Sequence, residues 1–303
     1  MSEAIVITGP TASGKSYIAM QLAQGGRAEI INADALQVYE NLRILTARPT
    51  ATEEAAVPHH LYGEVAGEEA WSAGTYARAA AERVEDVIAR GKTPLVVGGT
   101  GLWLKALVEG LSPIPDVPPS IMAEARQRHE QMGRAAFREE VLAADPGMGW
   151  LSENDTQRHL RAWSVYRATG RALSHWQKRP PLAVTDVKFH AFVFLPERTT
   201  LYARCDERFH KMLDDGAVEE VETLLSLNLP LTLPVMKSVG VPELTAYIRG
   251  EVSLEEARLA AQQATRRLAK RQITWFRGQA ADWPCFGHTE DMLDKIRQCL
   301  NDN

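Results

Sequence analysis

The sequence has few of the residues that mark secreted, metal-binding or membrane proteins. Its three cysteines, Cys205, Cys285 and Cys299, lie far apart, and it contains no CxxC motif or Cys/His cluster. This pattern argues against a disulfide framework and a zinc site, so we expect reduced thiols. No stretch approaches the roughly 20 apolar residues that cross a bilayer, and the chain enters a strand-like segment without a basic leader. These features predict a cytoplasmic protein with no membrane association.

An overall positive charge is also missing. The 34 basic and 39 acidic residues give a net charge of −5, which argues against a protein that coats nucleic acid with its whole surface. Two segments differ from this average, because residues 156–180 and 257–277 each carry six Arg or Lys and no Asp or Glu. A polyanion can bind to such local patches.

The order of the sequence patterns predicts an α/β fold. The 303 residues are 45% hydrophobic and 24% charged, which is ordinary for a globular protein. Short apolar segments at 4–8, 28–32 and 94–98 indicate buried strands, and segments with helical spacing lie between them. Because strands alternate with helices, we expect a parallel sheet with its ligands at the carboxyl ends of the strands.

A phosphate-binding loop follows the first predicted strand. Residues 9–16, GPTASGKS, fit the pattern G-x-x-x-x-G-K-[ST] between a strand and a helix. Backbone N–H groups at the helix N-terminus bind phosphate oxygens, and Lys15 adds a positive charge. The Ser16 hydroxyl is the predicted Mg²⁺ ligand. The predicted diphosphate or nucleotide site in this loop comprises Gly9, Pro10, Thr11, Ala12, Ser13, Gly14, Lys15 and Ser16.

The loop motif predicts a P-loop NTPase-like core, and a second motif predicts an insertion in it. Residues 112–119, SPIPDVPP, contain four prolines and mark a boundary. Only helical patterns follow until a strand pattern returns at 188–195. We therefore predict a discontinuous core of residues 1–112 and 184–303 and an inserted all-helical domain at 113–183. Further helices are predicted at about 198–214 and 216–227, and Ser253 with Glu256 forms a capping box for a long one.

Two polar residues are predicted at the strand ends beside this loop. Asp34 is either a loop or N-cap carboxylate or a general base. The third strand ends in VVGGTG and offers no acid for the metal-binding role of ordinary phosphotransferases, which favours the base. Thr100 lies between glycines that permit close approach of a ligand, although a structural tight turn explains the pattern equally well.

Seven segments, in order and over nearly the whole chain, resemble the bacterial tRNA dimethylallyltransferases of the IPP transferase family. They are GPTASGKS, INADALQVYENLRILTARPT, VPHHLYG, LVVGGTGLWLKAL, DTQRHLRAWSVYRATG, MKSVGVPEL and LAKRQITWFRG. The resemblance implies transfer of a dimethylallyl group from dimethylallyl diphosphate to N6 of the adenosine 3′ of the anticodon, tRNA position 37. The tRNAs would be those that read codons beginning with U.

The resemblance also implies roles for individual residues. Asp34 would accept the proton of the attacking amine, while Thr100 and Arg204, with Arg208 as a neighbour, would contact the diphosphate. The partners are then dimethylallyl diphosphate and the tRNA anticodon stem-loop, the cofactor is Mg²⁺, and a monomer is expected. The implied tRNA contacts are Asp34, Ala35, Leu36, Gln37, Thr100, Met122, Gln157, Arg158, His159, Leu160, Arg161, Lys237, Ser238, Gly240, Lys270 and Arg271.

Five positions depart from the family pattern. Ala35 replaces a common serine, Trp103 a frequent tyrosine, and Met122 an arginine that often meets the tRNA. Val241 and Pro242 stand in place of a common Tyr-Arg pair. These changes bear on individual RNA contacts and on the prenyl channel, and leave the chemistry unaffected.

Two other functions fit the phosphate loop. A small-molecule kinase would use GPTASGKS and Asp34 to turn over ATP, yet it needs no inserted basic helices. A non-catalytic nucleotide switch needs segments ordered by a γ-phosphate, and no sequence feature points to them. ATP is an alternative occupant of the loop, but we expect the prenyl diphosphate. Trp163, Tyr166 and Trp176 offer stacking faces for bases, although helical spacing also explains them as core residues.

Overall fold

The computed structural model describes residues 2–301, which form a parallel sheet with helices on both faces. The strands are β1 (Glu3–Thr8), β2 (Ala28–Asn32), β3 (His59–His60), β4 (Thr93–Gly98), β5 (Lys188–Phe194) and β6 (Cys285–Phe286). Their order across the sheet is β3-β2-β4-β1-β5-β6, and every neighbouring pair is parallel. This arrangement confirms the predicted α/β class.

Thirteen α-helices occur among the described residues. They are α1 (Lys15–Ala23), α2 (Ala51–Ala56), α3 (Ala73–Ala89), α4 (Gly101–Val108), α5 (Pro119–Met132), α6 (Arg134–Ala144), α7 (Thr156–Thr169), α8 (Leu173–Gln177), α9 (Arg198–Asp214), α10 (Ala217–Ser226), α11 (Val241–Ile248), α12 (Leu254–Gln279) and α13 (Thr289–Asn301). The predicted capping box is present at the start of α12, where Ser253 accepts from the N–H of Glu256 and the Glu256 carboxylate accepts from the N–H of Ser253. The long helix therefore begins where the sequence indicates.

The central strands are apolar on both faces because both faces are covered. Ile5 and Ile7 of β1 pack into a cluster with α1 and α13, whereas Val6 points to the opposite face, toward α3 and α4. Side chains alternate between the two faces of a strand, so burial of both faces gives an uninterrupted apolar sequence. This explains why β1, β2 and β4 were readily predicted.

The core is assembled from distant parts of the chain. β4 pairs with one side of β1, and β5 pairs with the other in a register from Glu3 opposite Lys188 to Thr8 opposite Val193. The strand predicted from the pattern at 188–195 is thus confirmed. It places the start of α9 beside the end of β1.

Contacts divide the chain into two compact units. One contains the residues up to Val108 and from Val184 onward, and the other is Glu109–Ala183. The second unit has its own apolar core of α5 to α8, centred on Phe137 and Trp163, whose rings lie 6.3 Å apart. Within this unit the buried Asp145 carboxylate accepts from the N–H of Ser174 at 2.9 Å. An RNA-binding role for the second unit stays a prediction.

Candidate active site at the phosphate loop

The phosphate loop connects β1 to α1 in a conformation that only glycine permits at two positions. Gly14 has φ of +104° immediately before α1. A Cβ at Gly9 would lie 2.3 Å from the carbonyl oxygen of Phe194 in β5. The first N–H groups of α1 have no intrahelical acceptor, and they carry the positive end of the helix dipole. The loop therefore has the features expected of an anion site.

Lys15 supplies a cation whose charge is sensitive to its surroundings. Burial lowers the pKa of the Lys15 ammonium group to about 8, the Asp34 carboxylate opposes this shift, and the Arg208 guanidinium adds to it. Its Nζ donates to the carbonyl oxygen of Pro10 at 3.4 Å. A bound diphosphate would return this pKa toward its ordinary range, since an anion favours the protonated amine.

Two arginines of α9 face the same loop. Arg204 Nη1 donates to the carbonyl oxygen of Ser13 at 3.1 Å. Arg208, one helical turn later, donates to the hydroxyl of Thr11. Burial lowers the pKa of the Arg208 guanidinium, which nevertheless stays charged. Together with Lys15, these residues place three cationic side chains at the phosphate loop.

Asp34 lies just beyond β2, where the backbone is held by Asn32. The N–H of Asp34 donates to Asn32 Oδ1 at 2.8 Å, and Asn32 Nδ2 donates to the carbonyl oxygen of Asp34 at 3.0 Å. Asp34 Oδ1 accepts from the N–H of Leu36 at 3.0 Å. Among the described residues no side-chain or backbone donor binds Oδ2, so this oxygen is available to a ligand.

Thr100 is tied to the same strand ends. Its Oγ1 accepts from the N–H of Ala35 at 2.9 Å, and its own N–H donates to the carbonyl oxygen of Ala33 at 3.2 Å. Because β2 and β4 are neighbours, these bonds place Thr100 and Asp34 side by side. The Thr100 hydroxyl proton is left to donate to a ligand.

The glycines around Thr100 are required by the protein's own packing, which agrees with the structural alternative of a tight turn. A Cβ at Gly98 would lie 2.1 Å from the backbone of Ala33, and one at Gly101 would lie 2.2 Å from the ring of Trp275 in α12. Glycine is required at these positions because the end of β2 and helix α12 approach the loop of Thr100 closely. The contact of Thr100 with a ligand stays a prediction.

One cavity brings several of these residues together. Its lining includes Thr11, Asp34, Leu45, Arg208 and Ser238. The phosphate loop, the β2 end and α9 therefore open onto a common space. No group of three or more His, Cys, Asp or Glu side chains suited to a metal ion occurs within residues 2–301.

Comparison with known protein families identifies this arrangement. The model described as IPP transferase matches residues 37–279, and the model described as isopentenyl transferase matches residues 2–62. The chain belongs to the IPP transferase family. Its resemblance to the bacterial tRNA dimethylallyltransferases is confirmed, and the match extends over the phosphate loop, the strand ends and α12.

Individual relatives of this IPP transferase agree with the assignment. The tRNA dimethylallyltransferase of Phenylobacterium zucineum is 51% identical over 92% of this chain and 91% of its own length. The one from Rhodospirillum centenum is 49% identical over 91% of this chain and 89% of its own. A crystal structure of the tRNA isopentenylpyrophosphate transferase from Bacillus halodurans has a TM-score of 0.71 at 27% identity, covering 100% of this chain and 96% of that one. A eukaryotic dimethylallyltransferase solved acting on tRNA has a TM-score of 0.74 at 27% identity, covering 91% of this chain and 70% of that one.

The residues with implied tRNA contacts differ in exposure. Gln157 and Arg158 of α7 are exposed, but His159 and Leu160 are only 2% and 4% exposed. The helical period turns these two side chains into the core of the second unit, so their direct contact with RNA is not expected in this conformation. Burial likewise lowers the pKa of His159. Lys237, Lys270 and Arg271 are exposed, Arg161, Met122, Ala35, Leu36 and Gln37 are partly buried, and Ser238 and Gly240 are buried.

The aromatic residues considered for base stacking, and the positions that depart from the family pattern, are divided between the core and the surface. Trp163 is 7% exposed, which supports the core interpretation, whereas Tyr166 is 42% exposed. Trp103 is 5% exposed and stacks on Tyr76 with ring centroids 4.2 Å apart. The Trp103 ring is thus part of the packing between α3 and α4. Val241 is buried at the start of α11.

The sequence did not indicate the structural contacts of two residues, Gln272 and Glu220. Gln272 of α12 contacts both the phosphate loop and the loop of Thr100. Glu220 of α10 binds the N–H groups of three consecutive residues, 43–45. Gln272 lies within a segment that matched the family, but neither side chain belongs to a motif whose spacing reveals its contacts.

Proposed function

We propose that this IPP transferase transfers the dimethylallyl group of dimethylallyl diphosphate to N6 of the adenosine at tRNA position 37. The observation that carries the proposal is the juxtaposition of an anion-binding loop and a carboxylate with one free oxygen. Lys15, Arg204 and Arg208 provide charge for a diphosphate, and Asp34 lies at the neighbouring strand end. Such a site can stabilise a leaving diphosphate and take up a proton in one step.

The proposed reaction is a single displacement. The N6 lone pair forms a bond to the terminal allylic carbon as the bond from that carbon to the diphosphate oxygen breaks. Asp34 Oδ2 accepts the proton that N6 loses, and the cationic loop stabilises the charge that grows on the diphosphate. The Thr100 hydroxyl donates a hydrogen bond to the same anion. The adenine must leave its stack to bring N6 into reaction distance.

The residues present fit a magnesium ion held mainly by the substrate. Mg²⁺ commonly binds through one or two protein oxygens together with phosphate oxygens and water. The exposed hydroxyl of Ser16, at the start of α1, is the protein ligand that we propose. When bound, the ion would neutralise part of the diphosphate charge.

The exposed basic residues support an RNA partner. Arg158 of α7 and Lys270 and Arg271 of α12 are the side chains that we propose to meet the anticodon stem-loop. Residues 34–37 and Thr100 would surround the extruded base. We expect the enzyme to act as a monomer in the cytoplasm on tRNAs that read codons beginning with U.

No helix of the described residues is long and apolar enough to span a membrane.

A transfer assay tests the reaction. The protein is incubated with Mg²⁺, labelled dimethylallyl diphosphate and an anticodon stem-loop with adenosine at position 37, and the RNA is analysed by mass spectrometry. A gain of one C5 unit on that adenosine, absent from a stem-loop with guanosine there, is the expected result. ATP hydrolysis without prenylation would contradict the proposal and favour the alternative function of a small-molecule kinase.

Replacement of Asp34 tests the proton acceptor. Asp34→Asn keeps an oxygen for the N–H of Leu36 but removes the basic carboxylate, so transfer should fall at least about a thousandfold while RNA affinity stays nearly unchanged. Glu40→Gln, at an exposed position of the same segment, is the matched control. Near-normal transfer by Asp34→Asn would remove Asp34 from the mechanism.

A further inference from the structure

The side-chain amide of Gln272 joins two loops that are distant in sequence. Its Oε1 accepts from the N–H of Thr11 at 2.8 Å, and its Nε2 donates to the carbonyl oxygen of Gly99 at 3.0 Å. The partners fix the orientation of the amide, because a backbone N–H only donates and a carbonyl oxygen only accepts. One side chain therefore links the phosphate loop to the loop of Thr100.

The loop of Thr100 is shaped to receive this side chain. A Cβ at Gly99 would lie 2.5 Å from Gln272 Nε2 and 3.0 Å from the carbonyl oxygen of Gly9. Trp275, three residues after Gln272, covers Gly101 at a distance that excludes a Cβ. Residues three apart lie on the same face of a helix, so α12 contacts this loop through two side chains on one face.

Each end of the Gln272 amide binds the backbone of a residue that contacts, or lies next to, a residue of the proposed site. On one side, the hydroxyl of Thr11 binds Arg208, one of the cations of the phosphate loop. On the other side, Thr100 follows Gly99 and holds the N–H of Ala35, the residue after Asp34. Gln272 thus spans the part of the site that would bind diphosphate and the part that would bind the amine.

We propose that Gln272 is a positioning residue that sets the spacing between the bound diphosphate and Asp34. This inference rests on the proposed function. Displacement reactions are sensitive to this spacing, since misplacement of reacting atoms by about 1 Å lowers rates on the order of a hundredfold. Loss of the amide should therefore reduce the rate of transfer much more than it reduces the affinity for RNA.

Two variants separate hydrogen bonding from packing. Gln272→Met keeps the length of the side chain and removes both hydrogen bonds. Gln272→Glu keeps an acceptor for Thr11, loses the donor to Gly99 and adds a negative charge beside the phosphate loop. The matched control is Gln279→Met at the exposed end of α12, where the Gln279 amide binds Lys105 Nζ at 3.3 Å.

The measurements are the single-turnover rate of prenyl transfer, the Kd for the stem-loop and the thermal midpoint. We expect Gln272→Met to lower the rate about tenfold to a hundredfold, with Kd within about twofold of the wild type and a midpoint close to that of Gln279→Met. Gln272→Glu should also raise KM for dimethylallyl diphosphate. A Gln272→Met rate within about threefold of the wild type, or a loss matched by weaker RNA binding, would overturn the proposal.

Amide hydrogen exchange tests the link independently of activity. In the wild type the N–H of Thr11 is held by Gln272, so Gln272→Met should speed exchange in a peptide covering residues 9–16, whereas Gln279→Met should not. Unchanged exchange would refute the link between the loops. A wild type that transfers no prenyl group would refute the proposed function alone, and the exchange result would still decide the role of the Gln272 amide in holding the loop.

Discussion

Replacement of Glu220 tests how the wall of the cavity beside Asp34 is held in place. The Glu220 carboxylate accepts three consecutive backbone N–H groups: Oε1 binds Arg43 at 2.6 Å and Ile44 at 2.8 Å, and Oε2 binds Leu45 at 2.9 Å. Leu45 and the next residue, Thr46, line the cavity with Asp34. The segment is therefore anchored by one side chain of a different helix, α10.

The contacts set the size of the expected effect. A hydrogen bond to a charged group contributes about 1.5–3 kcal/mol, but three bonds that share one partly exposed carboxylate are not additive. We expect Glu220→Ala to lower the free energy of unfolding by about 2–4 kcal/mol. Glu220→Gln keeps one acceptor oxygen and turns an NH₂ group toward the third N–H, so about half of that loss is expected.

Urea denaturation of both variants provides the measurement, with Glu219→Ala as the control. Glu219 and Glu220 both lie in the first turn of α10, so both interact with the helix dipole, but Glu219 is exposed. The dipole contribution therefore cancels between the two alanine variants. Equal stability of Glu220→Ala and Glu219→Ala would refute the assignment of these bonds as an anchor.

The remaining predictions concern charge and packing. Because burial lowers the pKa of Lys15 to about 8, the free protein loses this ammonium charge as pH rises through 8, and kcat/KM for dimethylallyl diphosphate should fall there; Lys15→Arg should lack this fall in a pH profile. Arg158→Glu should weaken stem-loop binding and reduce its salt slope by about one, and an unchanged slope in a salt titration would mean that this face of α7 does not meet RNA. Gly101→Ala should cost about 1–3 kcal/mol of stability against the Trp275 ring, whereas Gly278→Ala, in open space on α12, should be neutral or stabilising in thermal unfolding.

The sequence predicts those parts of the fold in which a pattern extends over many residues. β1, β2 and β4 are buried on both faces, and α12 begins at a capping box, so local sequence determines each of them. β3 and β6 were not predicted, because each consists of two residues and no periodicity exists over that length. The order of strands also depends on contacts between segments far apart, which one sequence does not display.

The candidate site likewise combines features that a local pattern predicts with features that depend on contacts between distant segments. The phosphate loop is recognisable because its residues are consecutive and their spacing has a physical cause. The glycines around Thr100 indicate a close approach, but a glycine pattern does not identify the neighbour, so the contacts with Ala33, Gln272 and Trp275 are visible only in the folded chain. Gln272 and Glu220 act across 261 and about 177 residues of sequence, respectively, so only the folded chain reveals their contacts.

The pairing of β1 with β5 has a consequence for synthesis of the protein. The loop at Gly9 rests against Phe194 of β5, and β5 emerges from the ribosome only after the whole second unit has been made. Until then, one edge of β1 has no partner strand, and long-range pairing of this kind is slow and exposes apolar surface to aggregation. β1, although translated before the second unit, should therefore be among the last segments to reach its final conformation. A nascent chain stalled before residue 188 should remain protease-sensitive in and around β1 while the second unit is already resistant.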